Sequence, residues 1–140
     1  FLSSSHNRNY VQWAVAIQNV AATSWVANTP QDAQIQEACP PGCVAEVSVS
    51  PWLPSTAINQ TYEFSFGPTW GLTMDTTETG AHVTARLSNS TGETQYHSTV
   101  LNLAVDLVGN FQWFCNRTAN TGDVLYMTVV GYYYDPSSEL

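Results

Sequence analysis

The run from residue 122 to 135 constrains this chain most, because it is its longest β-prone stretch and is apolar on both alternating sides. With a side-chain period of two, Leu125, Met127, Val129 and Tyr133 point one way, and Val124, Tyr126, Val130, Tyr132 and Tyr134 the other. A strand with two apolar sides sits centrally in a sandwich or turns one side to a partner.

Other runs repeat the pattern. Residues 10–18 alternate, with Val11, Trp13, Val15 and Ile17 on one face. Residues 24–27 read as a short strand. Residues 44–50 place Val47 and Val49 inward and Glu46 and Ser48 outward, and residues 61–66 place Tyr62, Phe64 and Phe66 inward. Residues 70–74, 81–88, 95–107 and 111–115 complete the set, with 81–88 and 95–107 expected to form a hairpin. Thr29 as N-cap, Pro30 at the first helical position and Asp32 after them predict one helix, near 30–38. Turn residues recur between these runs, so the expected fold is all-β: an antiparallel β-sandwich or jelly roll of about eight strands with that one short helix. The expected organisation is an N-terminal arm over 1–9, a single domain over 10–135 and a C-terminal tail over 136–140.

Charge narrows the function. The chain has 140 residues, a net charge of −8, no lysine, and only Arg8, Arg86 and Arg117 as cations. Three scattered arginines cannot neutralise many phosphates, which argues against nucleic acid and anionic membrane as partners. No apolar run approaches the length of a membrane span, and none reads as a signal peptide. A first residue of Phe1 reads as a processed form or fragment. The polar, weakly charged surface and three glycosylation sequons, at Asn59, Asn89 and Asn116, favour a secreted, extracellular glycoprotein.

Residues that could carry chemistry do not converge in the sequence. Of three cysteines, Cys43 is expected to bridge to Cys115, leaving Cys39 over for burial or for a bond to another chain. His82 and His97 fall on opposite sides of the predicted hairpin, and no cofactor or metal site is expected. Asp75 and Glu78 lack the spacing of a calcium loop. Glu46 and Glu63 would make a glycosidase-type pair only if their strands were neighbours. Aromatics are the remaining resource, with Trp52, Trp70, Tyr132 and Tyr134 the candidate ligand-binding residues.

The expected function is therefore non-enzymatic: a structural subunit of an outward-facing filament, shell or surface layer, partnered by copies of itself or a related subunit. The alternative is a secreted, lectin-like module that binds carbohydrate through exposed Trp and Tyr.

Overall fold

A computed structural model describes residues 9–54, 60–69, 83–89, 95–96 and 98–135. Among them the fold is all-β, in two antiparallel sheets. The strands are β1 (Asn9–Ala22), β2 (Gln31–Gln34), β3 (Val44–Leu53), β4 (Gln60–Gly67), β5 (Val83–Asn89), β6 (Gln95–Tyr96), β7 (Thr99–Ala104), β8 (Asn110–Cys115) and β9 (Val124–Tyr134). The first sheet runs β1-β9-β3 and ends on β6 and β7, which both pair with β3; the second runs β2-β8-β4-β5. First pairs with last, second with second-to-last, and so inward to β4 with β5. A long antiparallel ribbon folded over itself in this way is a jelly roll.

Alternation explains the layers. β3 buries Ala45, Val47, Val49 and Leu53, while β4 buries Tyr62, Phe64 and Phe66. Between the sheets, Trp25 meets Phe64 at 5.8 Å and Trp113 at 5.5 Å, both edge to face. Such pairs add about 0.5–1.5 kcal/mol each beyond their buried area.

Four expectations need correction. The predicted helix near 30–38 is not formed; residues 31–34 are β2, followed by a single turn in which Ala38 and Cys39 N–H groups donate to the Ile35 carbonyl. Ala33 and Ile35 are both buried at a spacing of two, and pairing with β8 outweighs the Thr29–Pro30 start signal. Residues 24–27 form no strand; β1 runs on to Ala22, Trp25 drops into the core, and Asn28 turns the chain at φ 56°. The hairpin of 81–88 with 95–107 does not exist, because β5 pairs with β4 while β6 and β7 pair with β3 in the opposite sheet. Lastly, β9 keeps its even-odd pattern only as far as Val129. Glu46 faces Gly131 and Val47 faces Val129, so Val130 is an extra residue in the ladder. Beyond this bulge Tyr132 turns inward against the core and Tyr133 outward, the reverse of the unbroken pattern.

The expected Cys43–Cys115 bridge is also absent: none of the three cysteines forms a disulfide. Cys43 lies at the end of the sandwich where Asp106 pairs with Asn110, the first residue of β8. Cys115 ends the same strand, roughly 16 Å further along at ~3.3 Å per residue. A disulfide needs Cα atoms within about 7 Å.

Candidate functional site: the outer face of the five-stranded sheet

The five strands of the first sheet, β1, β3, β6, β7 and β9, contain a single charged residue, Glu46. The smaller second sheet carries Asp32, Glu63 and Arg86 in its strands. Along β3, Glu46, Ser48, Ser50 and Trp52 project outward; across the ladder they face Gly131, Thr128, Tyr126 and Val124 of β9. The result is a hydroxyl and aromatic face. Trp52 is 44% exposed, and near it the Ser50 and Ser98 hydroxyls are hydrogen-bonded.

At the other end of this face the one carboxylate is not free. The Tyr10 hydroxyl, from the edge strand β1, donates to Glu46 Oε1 at 2.6 Å, and its ring lies 4.7 Å from that of Tyr133. The bond to Glu46 holds the phenol proton, pushing the Tyr10 pKa up to about 12. Glu46 does not meet Glu63, which projects from β4 in the opposite sheet, so the two carboxylates form no catalytic pair.

The candidate binding residues separate. Trp52 pairs with Val124 at the start of β9, whereas Tyr132 and Tyr134 stand near its end, about 26 and 33 Å along the strand at ~3.3 Å per residue. Tyr132 packs on Trp13 at 6.2 Å, and Trp13 in turn donates from Nε1 to the Ala38 carbonyl, so Tyr132 belongs to the core margin. Tyr134 accepts a bond from Asn9 Nδ2. Trp70, Asn59, His82, His97, Asp75 and Glu78, with the arm 1–8 and the tail 136–140, lie outside the described residues.

Asn116 is the sequon whose side chain can be placed. Its Oδ1 accepts from the Glu63 N–H at 2.9 Å and its Nδ2 donates to the Thr61 carbonyl at 3.4 Å. A glycan on that nitrogen would have to displace the second bond.

Two aspartates that the sequence did not single out organise the loops. Asp106 accepts from the Val108 and Asn110 N–H groups through Oδ1 and from Thr69 Oγ1 through Oδ2, and the Asn110 bond leads in holding its pKa below the usual value. Its loop holds out Leu107, 84% exposed, and Val108, 61% exposed, beside an apolar groove of about 610 Å³ between residues 42–44 and 104–108. Asp123 is fully buried; burial pushes its carboxyl pKa up, although the Asn120 N–H and Tyr62 partly offset this. A signal for Asp106 was present as Asp-Leu-Val-Gly-Asn, a turn sequence with an Asx residue at its head.

Among the described residues no group of three or more His, Cys, Asp or Glu side chains is arranged to hold a metal. No protein-family model and no curated protein matches the chain.

Proposed function

We propose that this protein is a non-enzymatic structural subunit of a secreted, outward-facing shell or layer, packed against copies of itself or a related subunit through the outer face of the five-stranded sheet. The observation that carries this reading is the composition of that face: one charge, already bonded to Tyr10, among Trp, Tyr, Val, Ser and Thr. Depletion of charge with enrichment of Trp and Tyr distinguishes the centre of an interface from ordinary surface. In a chain of net charge −8, a neutral face is also where two copies approach with least repulsion. The edge strand β1 adds to it, with no charged residue and no proline over its 14 residues. Jelly rolls serve both as shell subunits and as lectins, so the fold alone does not decide between them.

Light scattering of the native protein tests the reading. Assembly predicts a species well above the 15.4 kDa of one chain, and dissociation when Ser48→Glu and Thr128→Glu are placed on the face. A monomer at all concentrations overturns it. Lectin-like binding is the second reading, favoured by Trp52 beside the Ser50–Ser98 hydroxyl pair. It predicts a monomer whose affinity on a glycan panel falls with Trp52→Ala.

A further inference from the structure

We infer that Tyr10 and Tyr133 form a site of oxidative cross-linking, at which a carbon–carbon bond between the two rings ties the first strand of the fold to the last. Tyr10 on β1 and Tyr133 on β9 are directly opposite each other in the antiparallel ladder, with ring centroids 4.7 Å apart and planes tilted by 42°. Residues in that relation hold their Cβ atoms about 4.5–5.5 Å apart, so the backbone itself keeps the rings in reach. Tyr10 is 38% exposed and Tyr133 half-buried, which leaves the pair open to an oxidant. Tyr132 and Tyr134, the other neighbouring tyrosine rings among the described residues, are wider apart at 6.3 Å.

Glu46 supplies what the chemistry needs beyond proximity. At neutral pH Tyr10 holds its proton, with its pKa pushed up to about 12, so an electron leaves the ring most easily when the proton leaves with it. The Tyr10 hydroxyl donates to Glu46 Oε1 at 2.6 Å, and the carboxylate is placed to receive that proton directly. It is the one charged residue in the strands of this sheet, and it stands at this pair.

The co-reactant is a haem peroxidase with hydrogen peroxide. Each tyrosine loses one electron and its phenolic proton, that of Tyr10 going to Glu46 Oε1 and that of Tyr133 to water, and two tyrosyl radicals result. The radicals join through ring carbons beside the hydroxyls, forming one carbon–carbon bond. Those two carbons then release their hydrogens as protons while each phenolic oxygen takes one back, Tyr10 from Glu46. Per link, two C–H bonds break, two electrons and two protons are removed, and one hydrogen peroxide is reduced to two waters. The ladder between β1 and β9 is interrupted between Gln12 and Ile17, so residues 9–12 are held by four pairs at the end of the sheet. A covalent tie at Tyr10 fixes them and closes a loop of nearly the whole chain, the case in which a cross-link restricts the unfolded state most. The inference rests on contacts within one chain and is independent of whether copies assemble.

The test treats the purified protein with a haem peroxidase and hydrogen peroxide, and reads dityrosine fluorescence together with peptide mass mapping. The wild type should yield a peptide in which Tyr10 and Tyr133 are joined with the loss of two hydrogens, and its urea midpoint should rise. Tyr10→Phe and Tyr133→Phe should each lose that peptide. Glu46→Gln keeps an acceptor oxygen for the Tyr10 hydroxyl but takes up a proton poorly. It should slow the link by about a hundredfold, the lower end for a positioned proton acceptor. The same reaction on Ser48→Glu/Thr128→Glu keeps the pair accessible even where copies cover the outer face. Absence of the Tyr10–Tyr133 peptide from both samples overturns the inference, as does a link that joins two different copies when isotopically heavy and light protein are mixed. An unchanged rate in Glu46→Gln overturns the role given to Glu46.

Discussion

Tyr10 reaches over Gly131 to bond Glu46, tying the edge strand β1 across β9 to β3. Gly131 is what permits it: a Cβ there would meet the Tyr10 hydroxyl and the Val11 carbonyl oxygen. Gly131→Ala is expected to destabilise the protein by about 1–3 kcal/mol, the usual cost of overpacking, as read from urea denaturation.

The same bond sets an alkaline limit. Because the Tyr10 pKa is raised in the folded state to about 12, its contribution is complete below the ordinary tyrosine value and is lost as pH rises through about 12. Tyr10→Phe should remove one late step from the ultraviolet phenolate titration.

Asp123 and Asp106 should act in opposite directions. Burial raises the Asp123 pKa, so the folded state holds that proton more tightly, and stability falls as pH rises from the ordinary carboxylate value through the raised one. The Asp106 pKa is lowered, so its contribution is present above the ordinary value and is lost as pH falls through the lowered one. Within its window Asp123 contributes a slope of up to ~1.4 kcal/mol per pH unit. Asp123→Asn should flatten that fall, and Asp106→Asn should remove the loss on the acid side, both visible in denaturation midpoints measured across pH.

Thiol reactivity should rank by position. Burial pushes Cys39 up to about 12 and Cys115 to about 11, which keeps both as unreactive thiols at neutral pH. Cys43 is only half-buried. A native sample should therefore label at Cys43 first and at all three sites in denaturant, with no mass change on reduction.

Asn116 should matter for stability rather than for glycan attachment. Asn116→Ala removes the acceptor of the half-buried Glu63 N–H, while the Thr61 carbonyl keeps its bond from Arg117 Nε at 3.1 Å, and should cost about 1–3 kcal/mol. In a secretory host, peptide mass mapping is expected to find Asn116 unmodified.

The inward faces of β3 and β4 were legible residue by residue, because strict alternation admits one inward set. What misled was local. Thr29 and Pro30 are a sound helix start, yet Ala33 and Ile35 two residues apart are needed between the sheets. Asn89 to Gly92 look like a hairpin turn, yet the flanking strands go to different sheets, since strands adjacent in sequence need not pair in a jelly roll.

The candidate site was half legible. Trp52 was expected in an irregular loop beyond a strand ending at Ser50. It is exposed, but β3 runs on to Leu53 and holds it in the ladder against Val124. Tyr132 was grouped with the candidate binding residues because nothing local announces the bulge at Val130.

Hydrophobic alternation, turn residues and the scarcity of charge were properties of the sequence itself, and they determined an all-β sandwich with a weakly charged surface. Tertiary structure alone decided which strands pair, that Cys43 and Cys115 stand at opposite ends, and that the near-chargeless strands share one sheet. The physical reason is range. Alternation acts between neighbours in the chain, whereas register, bulges and the gathering of one neutral face are set by partners up to 125 residues away, as Asn9 and Tyr134 are.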